Sequence, residues 1–244
     1  VILATWCISN NFGDKLTWWM IKQITGEAPA WVTYDDPRPH YMGAGSILNL
    51  ASPSTVVWGS GLASGSDIVN KDARILALRG PLSGSVARAA GAIVPEVYGD
   101  PAMLLPRLMP HHGCPTDDLG IICHYIDRAD APKIAGARYI DVFADIEDIA
   151  TDICCCRHII SSSLHGLIAA DAYGIPAAWA KGTPLPGDDT KFYDHMEAVH
   201  AVADPMDLRS LDGWKASRVI DAMPRRTPKY DATPLADSCP FGTI

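Results

Sequence analysis

The chain has 244 residues, 48% hydrophobic and 20% charged, with 20 basic and 28 acidic side chains for a net charge of −8. That length suits one large domain or two small ones, and the acidic balance argues against a nucleic-acid partner. No apolar run approaches the roughly 20 residues of a membrane helix, and the start, VILATWCISNN, carries no basic segment or small-residue cleavage site, so a cytoplasmic protein is expected.

The first element, VILATW, is an apolar, β-branched run that breaks at CISNNFGD, after which KLTWWMIKQITG has helical spacing and stops at Gly26. APAWVTYDD follows, then two short apolar segments, around 47–50 and 55–58, set among glycines. Ile75–Leu78 predicts a strand, Arg79-Gly80-Pro81 a turn, and the segment up to Gly91 a helix. RLMPHHGCPTDD, residues 107–118, breaks the periodicity with two prolines and a glycine and reads as a linker. A second run then alternates strands (LGIICHYID, ARYIDVF, RHIISSS, IPAAWA) with helices (DIEDIATDICC, LHGLIAADAYG). Residues 205–222 predict a terminal helix, and the Pro-rich remainder an extended, partly mobile tail. Strand–helix alternation with Gly-rich turns predicts an α/β protein of two Rossmann-like domains, 1–110 and 118–204, with 205–244 as an appendage. Ligands of such sheets sit beyond the carboxyl ends of the strands. Seven cysteines, an odd number without a C-x-x-C pair, read as reduced and mostly buried thiols.

Five turns carry candidate chemistry. In SSSLHG a strand ends in serines and a helix begins near Leu164. Ser162, Ser163 and the first-turn N–H groups up to Gly166 would then form an anion site. His165 would lie beside it, as a proton carrier or as a residue of the helix cap. Arg79 emerges at a strand end, shaped to hold a carboxylate or phosphate, or to make a surface ion pair. The turns holding Asn11, Gly13 and Asp14, and Ser60, let backbone amides approach a ligand. Asp14 reads more readily as the cap of the next helix than as an acceptor for a substrate hydroxyl. Neither G-x-G-x-x-G nor a Walker lysine occurs. His124 falls at the end of the second half's first strand, and Lys191, Asp194 and His195 cluster in KFYDHMEAV, on a solvated helix face or in a site.

Taken in order, NFGDKL, VVWGSGL, ALRGPLS, YGDPAMLLP, GIICHYID, SSSLHGLIAADAYGIP and KFYD resemble the polysaccharide pyruvyl transferase family, in particular bacterial exopolysaccharide ketal-pyruvyl transferases, from about residue 8 to about 200. The resemblance implies a GT-B-like fold with two domains facing a cleft, and transfer of pyruvate from phosphoenolpyruvate to two sugar hydroxyls as a cyclic ketal. It implies no cofactor or metal beyond phosphoenolpyruvate as donor, and an oligosaccharide or lipid-linked saccharide acceptor met at the cytoplasmic face of a membrane, with peripheral contact at most. His165 matches the family's acid/base histidine in L-H-G, and His124 is the second candidate. Arg79 and the helix start near Leu164 would hold the donor's anionic groups. The chain departs from the family at Ser163, where many relatives carry arginine, leaving Arg157, Lys181 and Lys191 as replacement cations. Two other readings share the expected fold: a nucleotide-sugar glycosyltransferase, and a non-catalytic sugar-binding protein.

Overall fold

The structure, a computed structural model, describes residues 1–111, 115–184 and 187–244. The first half contains β1 (Leu3–Thr5), α1 (Phe12–Thr25), β2 (Ala30–Trp31), β3 (His40–Met42), β4 (Thr55–Trp58), β5 (Arg74–Ala77), α2 (Pro81–Ala89) and the short α3 (Leu105–Leu108). The second contains β6 (Leu119–Ile122), β7 (Ala137–Tyr139), α4 (Ile146–Cys154), β8 (Ile159–Ser161), α5 (Leu164–Ala172), β9 (Ala177–Lys181), α6 (Thr190–Ala198), β10 (Met206–Asp207), α7 (Ala216–Ala222) and α8 (Thr233–Asp237). The strands form two five-stranded sheets, ordered β2-β1-β3-β4-β5 and β7-β6-β8-β9-β10, and every pairing between them is parallel. Each sheet, numbered by its own strands, runs 2-1-3-4-5, a doubly wound order whose direction reverses between its first and third strands.

Local chemistry explains where the elements begin and end. Helix α1 starts earlier than its apolar spacing suggests, because Asn11 is the cap and its side chain accepts a hydrogen bond from the Asp14 N–H at 3.2 Å. The expectation that Asp14 caps this helix is therefore corrected: Asp14 lies inside the first turn, where its charge favours the helix dipole. Gly26, at φ +74°, closes α1 in the left-handed conformation open to glycine. Phe12, Leu16, Trp19 and Met20 share the buried face. Of the two glycine-flanked apolar segments, 55–58 forms β4, whereas Leu48–Leu50 is a single 3₁₀ turn tied by the Leu48 N–H to Gly61 O. β6 is buried along its whole length, as befits a parallel sheet covered on both faces.

One apolar core runs through both halves, joining Phe12, Leu16, Trp58 and Leu104 to Leu167, Ile168 and Trp179. The C-terminal segment departs most from expectation. Within 205–222, Met206–Asp207 adds β10 to the second sheet and the helix is confined to α7. The remaining tail crosses back to the first half instead of standing free. Trp58 Nε1 donates to Leu235 O at 3.2 Å, Phe241 packs edge-on to Tyr41 and Trp58, and Leu235 is fully buried. The apolar side chains of the tail that are covered in this way, Leu235 and Ala236, are stabilised by burial, about 25 cal/mol per Å². Of the expected linker, residues 112–114 lie outside those described, and its start, Arg107, belongs to α3.

The six described cysteines are free; Cys123 and Cys156 are buried and the others half-buried. Burial pushes the Cys154 thiol up to about 11 and those of Cys123 and Cys156 up to about 12, which keeps them protonated and poorly nucleophilic. No helix among the described residues is long and apolar enough to cross a membrane.

Candidate active site

Both reversal points of the strand order open onto one cavity of about 280 Å³. The turn after β1 contributes Ser9, Asn11 and Asp14, and the turn after β3 contributes Gly45 and Ser46. From the second sheet come His124 and Tyr125 after β6, Ser163 and His165 after β8, and Lys191 from α6. A loop at such a point splays away from its neighbour, so a crevice is left between them. Here two crevices merge.

His165 is in the first turn of α5, with 12% of its side chain exposed. Its Nε2 is buried and faces Oδ2 of Asp100, itself fully buried, at an ion-pair distance of 3.4 Å; neither atom has a hydrogen-bond partner among the described residues. Burial would raise the Asp100 carboxyl, but the charge and hydrogen bonding of His165, the Ala102 N–H and Arg79 outweigh it and hold Asp100 below the usual carboxylate range. Nε2 is thus turned to a carboxylate, and the other ring nitrogen, Nδ1, lies against the start of α1. Gly13 makes room for this ring: a Cβ there would overlap Nδ1. Ser163 occupies the cap position of α5 without a capping side-chain bond, and Ser161 Oγ instead binds the Ser163 N–H and carbonyl.

On the opposite wall, Asp14 Oδ2 accepts from Asn11 Nδ2 at 2.7 Å and from the Ser9 hydroxyl. Burial pushes the Asp14 carboxyl up, against the opposing influence of Ser9, His165 and Asn11. His165 therefore has one carboxyl at Nε2 and a second, Asp14, across the cavity.

Lys191 is the cation the cavity holds. Burial, reinforced by Arg79, lowers its amine to about 8, and no ion-pair partner is found for it among the described residues. It also forms part of an adjoining cavity of about 170 Å³ that reaches Ser162, Lys181 and Asp127. The other two candidate cations are placed differently. Lys181 is spent on Asp189 at the half-exposed rim, and Arg157 sits before β8, at the end of the strand away from the site, paired with Asp118 at 3.5 Å. His124 is lowered to about 4, by burial first and then by Lys191 and His165. At neutral pH it is uncharged, with Nδ1 accepting the Ile126 N–H at 3.3 Å.

Several expected ligand contacts are reassigned. Arg79 is fully buried: Nε donates to Asp194 Oδ2 at 3.0 Å, Nη1 to Ser46 Oγ at 2.7 Å, and Nη2 to Leu62 O at 2.6 Å. With no exposed surface it reaches the cavity only through Ser46, so a direct contact with a bound anion is replaced by support of the wall. Ser60 Oγ is spent on Gly45 O at 2.9 Å. Gly166 lets α5 lie against the sheet, where a Cβ would crowd Ser161 Oγ and Ile122. Ser162 is a clamp, donating to Asp127 Oδ2 at 2.7 Å and accepting the His124 N–H at 2.8 Å. Asp194 and His195 are fully buried, which rules out the solvated helix face: Asp194 meets Arg79 and Ser83, and His195 Nε2 meets Asp171 at 2.9 Å. Asp100 went unsingled in the sequence. Its signal was Gly-Asp-Pro, just after the Leu78–Tyr98 bridge, where Oδ1 caps the following 3₁₀ turn through the Ala102 N–H at 2.9 Å.

The model of the polysaccharide pyruvyl transferase family matches residues 33–180. The chain is 30% identical over 200 residues to "Uncharacterized protein L143" of Acanthamoeba polyphaga mimivirus, covering 76% of this chain and 70% of that protein. It is 29% identical over 181 residues to "Succinoglycan biosynthesis protein ExoV" of Rhizobium meliloti (strain 1021), covering 68% of this chain and 54% of that one, so it spans about half the length of ExoV. No solved structure matches.

Proposed function

The chain belongs to the polysaccharide pyruvyl transferase family, and from that premise we propose that it transfers pyruvate from phosphoenolpyruvate to two hydroxyls of a saccharide, forming a cyclic ketal in exopolysaccharide synthesis. The observation that carries this reading is the buried His165–Asp100 pair at the start of α5, in one cavity with the amine of Lys191. The two sheets then face each other in a GT-B-like arrangement, donor and acceptor meeting between them. The acceptor is an oligosaccharide or lipid-linked saccharide at the cytoplasmic face of the membrane.

Protonation of the donor's methylene carbon leaves its second carbon cation-like. One sugar hydroxyl attacks that carbon, the carbon–oxygen bond to phosphate breaks with its electron pair going to phosphate, and the second hydroxyl closes the ring. One hydroxyl proton balances the proton delivered to the methylene and the other leaves with phosphate. His165 carries the proton, with Asp100 stabilising its charged form. Lys191 and the free N–H groups at the start of α5 hold the donor's carboxylate and phosphate. Asp14 accepts a sugar hydroxyl, held in place by Asn11 and Ser9.

Release of inorganic phosphate from phosphoenolpyruvate, measured across saccharide acceptors, tests the reading. It fails if a folded His165→Ala protein keeps the parent's rate. Calorimetry adds a second arm: phosphoenolpyruvate binds and nucleotide sugars do not, and the reverse result would favour glycosyl transfer.

A further inference from the structure

The tail that crosses from the second half to the first passes directly over the loop that carries Asp100. Tyr230 Oη donates to Tyr98 O at 2.8 Å, and a Cβ on Gly99 would overlap that same phenol oxygen. Gly99 stands at φ +141°, a backbone state that favours glycine, with its N–H on Leu78 O at 2.9 Å. The carbonyl before Gly99 is therefore fixed from one side by the tail, and the N–H of Gly99 from the other by the sheet. Asp100 follows at once. Tyr230 has little freedom of its own. Upstream, Arg226 grips Asp171 at 2.8 Å and Lys229 N donates to Val199 O at 2.8 Å; downstream, α8 is held by Trp58 and Arg107.

We propose that Tyr230 is a positioning residue of the acid/base pair: by holding the Tyr98–Asp100 backbone it keeps Asp100 against His165 Nε2, and so keeps the proton of the neutral imidazole on Nε2. The inference rests on the assignment of His165 as proton carrier. Its physical basis is the 3.4 Å separation of Nε2 and Oδ2, two buried atoms that have no hydrogen-bond partner among the described residues and only each other at ion-pair distance. At that distance a small backward shift of the loop ends the interaction altogether.

The test reads the tautomer directly and needs no substrate. In protein labelled with ¹⁵N-histidine, with His165 assigned through His165→Gln, the neutral ring is expected with its proton on Nε2. Tyr230→Phe keeps the ring and removes only the hydroxyl; it is expected to move His165 toward a mixture of tautomers, in the direction that Asp100→Asn moves it fully. Arg107→Gln, which loosens the end of the tail without touching Tyr98, leaves the tautomer unchanged. Should Tyr230→Phe not fold, Tyr230→Leu carries the same loss of the hydroxyl. An unchanged His165 spectrum in a folded Tyr230 variant overturns the inference. In turnover, Tyr230→Phe is expected to lower kcat roughly tenfold, as for one lost hydrogen bond, with KM for phosphoenolpyruvate within about twofold of the parent. A tautomer shift in a protein that releases no phosphate from phosphoenolpyruvate would uphold the role of Tyr230 and sink the proposed function instead.

Discussion

The two sheets share the strand order 2-1-3-4-5, yet the loops at their reversal points differ in which ionisable groups they carry. After β1 and β3 the chain presents oxygens: Ser9, Asn11, Asp14 and Ser46, with Asp100 behind them. After β6 and β8, and from α6, it adds the nitrogens of His124, His165 and Lys191 to the hydroxyls of Tyr125 and Ser163. A repeated topology thus provides two crevices, and a division of labour between acceptor groups and proton-bearing groups makes one site of them. Arg79 and Asp194 reverse the pattern, a cation from the first half meeting a carboxylate from the second, and they do so away from solvent. The first set lines the cavity, while the buried inversion joins the two halves.

The sharpest way to break that comparison is to remove the nitrogen side's proton carrier. His165→Ala is expected to slow phosphate release from phosphoenolpyruvate roughly 10³-fold, the middle of the range for general acid–base groups, in a protein that still folds but melts lower, because Asp100 stays buried without the group that faces it. A full rate would mean the oxygen side supplies the proton.

The buried inversion is tested next. Arg79→Met leaves the Asp194 carboxylate without its cation, and denaturant unfolding is expected to show a loss of about 3–5 kcal/mol. A loss below about 1 kcal/mol would show that the pair does not lock α6 to the first half.

Lys191 sharpens the comparison by assigning the anion to the nitrogen side. Lys191→Met is expected to weaken phosphoenolpyruvate binding roughly 10- to 100-fold, as for the loss of one charge-assisted contact. The parent should show the same effect through pH. Its amine is lowered to about 8, so the charge is present below that value and is lost as pH rises through it; donor affinity, measured by calorimetry, is expected to fall above pH 8. Over the same range His124, at about 4, stays neutral and contributes no change.

The smallest expected effect lies where the two halves touch. A methyl group in Gly13→Ala meets the His165 ring, so the imidazole must turn. Turnover is expected to fall about tenfold for a displaced catalytic group, at a stability cost of about 1–3 kcal/mol for overpacking. Unchanged kinetics would place the working position of His165 away from α1.

Much of this was legible in the sequence. The alternation of strands and helices, the turn before α1, and the start of α5 after Ser161 follow from patterns that repeat every two or four residues. The family motifs placed His165, and Asn11, Asp14, His124, Ser163 and Lys191 do line one cavity. What misled was polarity taken as exposure. Arg79, Asp194, His195 and Ser60 look like surface or ligand groups because charge and hydroxyls are usually solvated; each is buried because a partner distant in the sequence satisfies it. The Pro-rich tail looked free for the same reason, since nothing local shows that Trp58 and Tyr98 await it.

By itself, then, the sequence determined the α/β alternation, the turns at which ligand groups would lie, and the histidine at a helix start. Only the tertiary structure decided that Asp100 stands behind that histidine, that Lys191 rather than Arg157 or Lys181 is the cavity's cation, and that Arg79 is a strut. The physical reason is range. Backbone periodicity and capping act over a few residues and leave a local imprint, whereas a buried polar pair is stable only because each member cancels the other's desolvation, and nothing in the residues adjoining Asp100 records that His165, 65 positions on, will do so.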